Sequence, residues 1–174
     1  MIIWLNGPFG VGKTTTAQLL LEADAALAFF DTERIGYLLQ AALETRRPVA
    51  DFQDWPAWRR LTVETLAAVG DELSADIVVP QTVVVEKYWH EIAEGLRERG
   101  HPVRAFTLDV AFDEHERRII TDEEEPGAAD WRRERRRDYD SARPWLQRHS
   151  TVLDTTSLSA ADVATEIDRL RPRT

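Results

Sequence analysis

The sequence predicts an α/β fold, a three-layer doubly wound domain built on a parallel sheet of five strands. The first observation is that short apolar runs alternate with longer amphipathic ones along the 174 residues. The second is that the short runs are almost continuously apolar, which is typical of parallel strands covered by helices on both faces. The third is a glycine-rich turn between the first apolar run and the first amphipathic one, which indicates a strand–loop–helix unit.

The individual elements follow from these runs in chain order. Strands are expected at residues 1–6, 26–31, 76–80, 103–109 and 151–154. Helices are expected at residues 13–22, 32–44, 55–73, 86–99, 113–120, 130–146 and 160–170, with Ser159 as the N-cap of the last one. An acidic run followed by Pro126 and Gly127 predicts a mobile lid over about residues 120–146. The chain, 1–174, is expected to form one domain because its length suits a single core.

Composition excludes several functional classes. The 22 Lys and Arg residues against 31 Asp and Glu give a net charge of −9, so nucleic acid, which needs a basic footprint, is not an expected partner. The absence of cysteine excludes disulfides and cysteine-based metal sites. The 4 histidines have no ligand spacing, so no zinc site is predicted. The lack of a signal-like start and of a bilayer-length apolar run predicts a cytoplasmic protein; peripheral membrane contact and oligomeric state stay open.

The strongest motif in the chain is a glycine-rich loop. The pattern G-x-x-x-x-G-K-[ST] is matched in order by Gly7, Pro8, Phe9, Gly10, Val11, Gly12, Lys13 and Thr14. In such a loop the glycines allow positive φ and turn backbone N–H groups toward phosphate oxygens. Lys13 is expected to reach the β- and γ-phosphates and Thr14 to hold Mg²⁺, at the N-terminus of a helix that faces the anion. Residues 7–15, including Thr15, are therefore predicted to bind ATP with Mg²⁺.

Two absences narrow the class of nucleotide-binding protein. Guanine-reading switch proteins usually carry N-K-x-D, and the only asparagine is Asn6. Motor ATPases usually show an apolar strand that ends in Asp or Asp-Glu, whereas the third predicted strand runs into Pro80 and Gln81. A small-molecule kinase needs the phosphate loop, a carboxylate near the acceptor hydroxyl, and arginines that close over the transferred phosphoryl group.

Asp31 is the predicted carboxylate. It ends the second apolar run, and ligands of open α/β sheets bind beyond the carboxyl ends of the strands. There it is expected to assist the acceptor hydroxyl or to hold magnesium; the alternative is a cap for the next helix, and both roles can coexist. Arg34, one helical turn later, is a candidate for contacting acceptor or phosphate, with a solvated charge as its alternative.

Arginines are dense in the predicted lid helix. Guanidinium groups suit phosphoryl oxygens because they stay charged and donate in a planar fork. One or two of these side chains are expected to act, Arg136 as the catalytic one, and the rest to pair with nearby carboxylates. The candidates are Arg132, Arg133, Arg135, Arg136 and Arg137, together with Arg117 and Arg118 on the preceding helix.

The acceptor is expected beside the second strand–helix unit. Trp55 and Trp58 are three residues apart and would form one aromatic face for a sugar or base, with Arg59 beside it; core packing is the alternative, slightly favoured for Trp58. At the end of the third strand, Gln81 would read a base or amide edge. The predicted substrate-binding residues are Phe52, Trp55, Trp58, Arg59, Gln81 and Thr82. Residues 154–156 end the fifth strand, where adenine is expected to rest.

These residues together resemble the tunicamycin-resistance proteins of bacteria, a P-loop kinase-like family. The resemblance covers most of the chain, and its most distinctive part is Asp51-Phe52-Gln53 with Pro56 and Trp58-Arg59. The remaining matched positions are residues 1–7, Phe9-Gly10, 12–14, Val79-Pro80, Thr82-Val83, Tyr88, Glu91-Ile92, Leu96-Arg97 and 106–108. The resemblance implies ATP binding and resistance to tunicamycin, a nucleoside antibiotic with a uracil, sugars and a fatty acyl chain.

The sequence is therefore interpreted as an ATP-dependent phosphotransferase that acts on a small nucleoside-type substrate, which the resemblance identifies as tunicamycin. Two alternatives stay open. One is an ATP-binding module that sequesters the drug without chemistry. The other is a kinase for an ordinary metabolite.

Overall fold

The sheet that the sequence predicts is present in a computed structural model of the chain, which describes residues 1–121, 127 and 129–172. Its five strands are all parallel and lie in the order β2-β3-β1-β4-β5. They are β1 (Ile2–Asn6), β2 (Leu27–Phe29), β3 (Asp76–Pro80), β4 (Val103–Asp109) and β5 (Thr151–Asp154). Helices flank the sheet on both faces, so the predicted doubly wound α/β fold is confirmed.

Seven helices occur among the described residues, one for each helix that the sequence predicts. They are α1 (Lys13–Ala23), α2 (Glu33–Leu43), α3 (Pro56–Leu73), α4 (Glu86–Glu98), α5 (Phe112–Ile120), α6 (Ala129–His149) and α7 (Ala160–Leu170), with a short 3-10 helix (Phe52–Asp54) before α3. Helix α6 runs past its predicted end at residue 146 although it contains Pro144, because Trp145 and Leu146 are buried in the core. The predicted cap of α7 is confirmed: Ser159 and Asp162 form a capping box.

Strand β1 shows why the strands are apolar along their whole length. Ile2 and Trp4 pack on one face, in a core built mainly with α3, α4 and α6. Ile3 and Leu5 pack on the opposite face, in a second core built with α1 and α7. All four side chains are completely buried, as expected for a central strand with a helix layer on each side.

The parallel register brings the loops after three strands to one edge of the sheet, the edge formed by the carboxyl ends of the strands. Leu5 of β1 pairs with Pro80 of β3, and Asn6 pairs with Thr107 of β4. The segments that follow β1, β3 and β4 therefore lie side by side at the carboxyl edge, where ligands of open α/β sheets bind. Within the described part of the chain, no helix combines the length and the apolar character needed to cross a membrane.

Candidate active site

The glycine-rich loop has the backbone that its motif predicts. Gly7, Gly10 and Gly12 have φ angles of +139°, +81° and +101°, in the region that side chains rarely adopt. At Gly7 a Cβ atom would also lie 2.5 Å from the carbonyl oxygen of Leu108. Gly12 is the N-cap of α1, so the free N–H groups of the first helical turn point into the loop.

Lys13 is enclosed by this loop. Its Nζ donates to the carbonyls of Gly7 and Pro8 at 3.1 and 2.9 Å and lies 5.2 Å from the centre of the Phe9 ring. Burial lowers the pKa of the Lys13 amine from 10.5 to about 7; Glu33 raises it and Arg132 lowers it further. The hydrogen bonds of the Lys13 ammonium among the described residues go to backbone carbonyls, which carry no net charge, so phosphate oxygens would supply a strong counter-charge at this site.

A pocket of about 660 Å³ opens directly above the loop. We call it the P-loop pocket. Its lining includes Lys13, Thr14 and Thr15 from α1, Glu33 from α2 and Arg132 from α6. Thr14 is exposed in the first turn of α1, where its hydroxyl can reach a metal ion bound beside phosphate. The donor set thus fits a triphosphate with Mg²⁺, as the sequence predicts.

Among the described residues, the carboxylate that lines this pocket is Glu33; the predicted carboxylate, Asp31, does not line it. The Asp31 side chain accepts the backbone N–H of Glu33 at 2.9 Å, and its second oxygen lies 3.8 Å from Nε of Arg34. Asp31 therefore bonds the first residue of α2 from the position before the N-cap, Thr32, which is close to its alternative role as a helix cap. Arg34 is 83% exposed and does not line the P-loop pocket, which favours its alternative as a solvated charge.

A second pocket of about 340 Å³ adjoins the first; we call it the α2 pocket. It is bounded by α2, the segment 49–53 and the start of α6, and its lining combines aromatic with polar and charged side chains. Its aromatic walls are Phe9, Tyr37, Phe52, Trp58 and Trp131. Phe9, Glu33, Gln81 and Trp131 line both pockets, so a molecule in the α2 pocket can reach into the P-loop pocket.

The two predicted tryptophans lie in different surroundings. Trp58 is 1% exposed and belongs to the core, but one part of its ring still lines the α2 pocket, where its Nε1 donates to the Thr32 carbonyl at 3.1 Å. Trp55 is 5% exposed, donates to the Arg47 carbonyl and stacks at 6.0 Å behind Phe52. Phe52 is thus the ring that contacts the pocket, and Trp55 supports it.

Arg59 lies outside the α2 pocket, contrary to its predicted place beside the acceptor. It is buried between α3 and α4, where it pairs with Glu91, donates to the Gln53 carbonyl and stacks on the Tyr88 ring at 4.0 Å. These contacts fix the segment before α3. Sequence spacing could not reveal this, because Glu91 and Tyr88 come from another helix.

Gln81 and Thr82 lie at the carboxyl end of β3, where the sequence places them. The Gln81 carbonyl oxygen Oε1 accepts the Thr32 hydroxyl at 2.6 Å, and the Thr82 hydroxyl donates to the Gly7 carbonyl at 2.8 Å. Asn6 reinforces this arrangement, because its Oδ1 accepts the N–H groups of Gly7 and Val83 while its Nδ2 donates to the Val83 carbonyl. The loop after β3 is thereby tied to the P-loop.

The arginine that reaches the P-loop pocket is Arg132, not Arg136. Arg136 is buried, and it donates to Asp140 at 2.9 Å and to the Val110 carbonyl at 3.1 Å, which holds it away from the pocket. Arg132 lines the pocket, and its side chain passes 3.6 Å from the Cβ position of Gly10. The neighbouring Trp131 also lines this pocket, and its ring centre lies 4.4 Å from that of Phe9. The predicted acidic part of the lid, 122–126, lies outside the described residues.

A third pocket, of about 550 Å³, lies on the other side of the P-loop and is called the α7 pocket. Gly10, Gly12 and Thr15 line both this pocket and the P-loop pocket. Arg117 and Arg118 form one wall, and residues 155–160 form the other, near the place predicted for adenine. Arg118 donates to the carbonyls of Val11 and Thr155, so it joins α5 to the loop and to the segment after β5.

Sequence reasoning missed several residues of the site. Glu33, Trp131 and Asn6 had no motif to mark them, although the single asparagine in the chain was a usable signal. His115 is completely buried, and its Nε2 donates to the Phe9 carbonyl at 2.8 Å. Burial lowers the pKa of His115, whereas the contact with the Phe9 carbonyl raises it; the net shift is downward and favours the neutral ring. A lone histidine on a short helix gives no sequence signal for this role.

The comparisons with known proteins agree with this geometry. The family model AAA_33, described as an AAA domain, matches residues 2–144. Among solved structures, the tunicamycin resistance protein of Deinococcus radiodurans is 29% identical, with a TM-score of 0.74 over 97% of this chain and 93% of that chain. This similarity confirms the resemblance that the sequence predicts. No curated protein sequence matches the chain.

Two further solved structures share the fold at lower identity. A gluconokinase from Sinorhizobium meliloti 1021 is 16% identical, with a TM-score of 0.68 over 97% of this chain and 91% of that chain. A shikimate kinase from Acinetobacter baumannii is 18% identical, with a TM-score of 0.66 over the same shares, 97% and 91%. The matched family model covers most of the chain, so this protein belongs to the AAA domain family AAA_33, with a P-loop kinase-like fold.

Proposed function

We propose that this protein is an ATP-dependent phosphotransferase whose acceptor is a small nucleoside-type molecule, tunicamycin, and that phosphorylation of the drug gives resistance. The observation that carries the proposal is the junction of two pockets. The P-loop pocket and the α2 pocket share Phe9, Glu33, Gln81 and Trp131, so a phosphate donor and an acceptor can meet there. A protein that only bound nucleotide would have no need of this junction.

ATP, the phosphate donor, is assigned to the P-loop pocket and the α7 pocket, which share Gly10 and Gly12 of the loop. The triphosphate of ATP would follow the loop through the P-loop pocket, and the adenosine would occupy the α7 pocket between α5 and residues 155–160. Backbone N–H groups of the loop and the Lys13 ammonium would bind the phosphate oxygens. Mg²⁺ is assigned to the Thr14 hydroxyl, where it would neutralise phosphate charge.

The reaction assigned to this junction moves one phosphoryl group. The acceptor hydroxyl oxygen forms a bond to the γ-phosphorus while the bond from that phosphorus to the β,γ-bridging oxygen breaks, and ADP leaves. The hydroxyl proton passes to the Glu33 carboxylate, which faces both pockets. Lys13 and Arg132, which both line the P-loop pocket, stabilise the charge on the transferred group.

The acceptor is assigned to the aromatic walls of the α2 pocket. Phe52, Trp58, Tyr37 and Trp131 offer flat apolar surfaces for a base such as uracil, and the Gln81 amide keeps one N–H and one lone pair free for a base edge. The similarity to a solved tunicamycin resistance protein supports tunicamycin as this acceptor.

The proposal is tested by incubating the protein with Mg·ATP and tunicamycin and measuring the mass of the drug. The expected result is a gain of one phosphate by the drug and formation of one ADP per product. An unchanged drug that still binds would replace phosphotransfer by sequestration. An unchanged drug that does not bind would refute the assigned acceptor, and a screen of small alcohols with ATP consumption as readout would then identify the metabolite.

The assignment of Arg132 has a matched control on the same helix. Arg132→Met should lower turnover by about 10²–10³, because it removes a charged donor from the P-loop pocket. Arg136→Met removes an arginine one helical turn away that contacts Asp140 instead, so it should lower the melting temperature and leave turnover per folded molecule nearly unchanged. The opposite pattern would restore Arg136 as the catalytic arginine.

A further inference from the structure

We propose that Glu86, His90 and His149 form a binding site for a divalent transition-metal ion such as Zn²⁺, separate from the pockets described above. One ligand atom from each of the three residues lies within 4.8 Å of the other two. Glu86 and His90 are one turn apart at the start of α4, and His149 is the last residue of α6. Sequence spacing does not reveal this cluster, because His90 and His149 come from different helices.

One distance between the ligand atoms matches that of a bound zinc ion, and the others are longer by an amount that side-chain rotation can remove. Bonds of about 2.0–2.1 Å in a tetrahedron put neighbouring ligand atoms about 3.3 Å apart. Oε1 of Glu86 lies 3.4 Å from Nε2 of His149 and 4.0 Å from Nε2 of His90. The two imidazole rings stand at 89° with their centres 4.9 Å apart. Small side-chain rotations would therefore complete three corners of the tetrahedron and leave the fourth to water.

The ligand types select the class of metal. Two imidazole nitrogens with one carboxylate suit Zn²⁺, Ni²⁺ or Cu²⁺, whereas Mg²⁺ and Ca²⁺ prefer oxygen ligands. The site is therefore not a second magnesium site for the nucleotide. Each ligand side chain is also partly exposed, 42% for Glu86, 44% for His90 and 33% for His149, so an ion can enter from solvent.

Arg148 competes with the metal for Glu86. Its Nη2 lies 3.2 Å from the same oxygen, Oε1, that both histidines approach. The guanidinium is 60% exposed, so it can move into solvent when a metal ion replaces it. Removal of Arg148 should therefore strengthen metal binding, an effect opposite to that expected for loss of a ligand.

A metal at this place would connect the start of α4 to the end of α6. The segment before α4 includes Val83, which Asn6 binds beside the P-loop, and the start of α6 carries Trp131 and Arg132 at the P-loop pocket. The ion would thus join two helices that each lead to the active site. The metal ion is expected to change thermal stability and not turnover, because Glu86, His90 and His149 do not line the three pockets assigned to nucleotide and acceptor.

The test is a titration of the untagged full chain with Zn²⁺ against a chromophoric chelator, in excess Mg²⁺. One ion should bind per chain. His90→Ala and His149→Ala should each weaken binding more than about tenfold, since even the loss of groups that merely support a ligand costs about 10–100-fold. His101→Ala is the control, because His101 pairs with Asp71 at 2.9 Å and lies outside the cluster. Arg148→Ala should bind more tightly than the wild type.

Thermal denaturation provides a second readout. Zn²⁺ should raise the melting temperature of the wild type and of His101→Ala, and it should leave that of His149→Ala unchanged. Equal zinc affinity in the wild type and in the His90 and His149 variants would overturn the proposal, because it would show adventitious surface binding only. Unchanged or weaker affinity in Arg148→Ala would contradict the assigned ligand set.

Discussion

Raising the pH above 7 should weaken the binding of ATP, because Lys13 then loses the proton that makes it a phosphate ligand. Burial lowers the pKa of this amine from 10.5 to about 7 in the free protein. Because one pKa unit corresponds to 1.36 kcal/mol, this shift means that burial destabilises the charged form of Lys13 by roughly 5 kcal/mol relative to the neutral amine. Bound phosphates would offset that cost and raise the pKa of Lys13 again.

The direction of the pH effect on ATP binding follows from the difference in the Lys13 pKa between the free and the ATP-bound protein. Because the bound form has the higher pKa, binding is strongest below pH 7, where Lys13 is already protonated, and weakens as the pH rises through and above 7. For a free pKa of about 7, the apparent Kd should rise roughly 50-fold between pH 7 and pH 9, with uptake of about one proton per ATP bound at pH 9. This range lies above the second ionisation of a phosphate group, near 6, so the ligand itself changes little.

The assay is isothermal titration calorimetry in buffers of different ionisation enthalpy, which gives both the Kd and the number of protons taken up. Lys13→Arg is the matched control, because a guanidinium stays charged over the whole range and should remove the pH dependence even if it binds less tightly. A Kd for the wild type that stays constant from pH 7 to pH 9, without proton uptake, would refute the reasoning.

Two further predictions concern the acceptor side of the site. Glu33→Gln should lower the rate of transfer by about 10²–10⁴ while ATP still binds, because it removes the proposed proton acceptor. Asp31→Asn should lower the rate far less, because Asp31 bonds the start of α2 instead. Rapid-quench assays measure both rates, and a larger loss for Asp31→Asn would make Asp31 the proton acceptor. Gly36→Ala should destabilise the fold by about 1–3 kcal/mol, because its Cβ would lie 2.0 Å from Cδ2 of Phe52. Gly127→Ala is the control in thermal denaturation, because a Cβ at that position meets open space. Equal melting temperatures of the two variants would contradict the packing of Phe52 on Gly36.

The sheet and the loop could be predicted from sequence because their signals are local. A continuously apolar run such as β1 needs no partner to be recognised as a buried parallel strand. The positive φ angles of Gly7, Gly10 and Gly12 likewise follow from residue type and spacing. These features depend on residues next to one another in the chain, so the order of elements and the place of the loop are as predicted.

The side chains around the loop could not be predicted because their roles depend on which helix face meets which neighbour. Asp31 and Glu33 are two residues apart, yet one bonds the start of a helix and the other lines two pockets. Arg132 and Arg136 share a helix face by spacing, but the Val110 carbonyl and Asp140 hold Arg136 away from the pocket. Only the tertiary arrangement decides between such equivalent candidates.

The aromatic segment before α3 gives the same lesson for apolar residues. The sequence predicts that Trp55 and Trp58 form one aromatic face, but in the structure Trp58 lines the pocket from the core and Trp55 does not line it. Tryptophan suits both places because it has a large apolar ring and one N–H group. The carbonyl that receives each N–H, from Arg47 or from Thr32, settles the orientation and is not visible in the sequence pattern.

The central claim is that Lys13 serves phosphotransfer to an acceptor, and the most direct measurement is the rate at which label from γ-labelled ATP enters tunicamycin in two lysine variants. Lys13→Ala should transfer roughly 10²–10³ times more slowly than the wild type, or slower still, as expected for loss of a preorganised donor. Lys87 is the only other lysine in the sequence and is exposed on α4, so Lys87→Ala should transfer at the rate of the wild type. Near-normal transfer by Lys13→Ala would contradict the account.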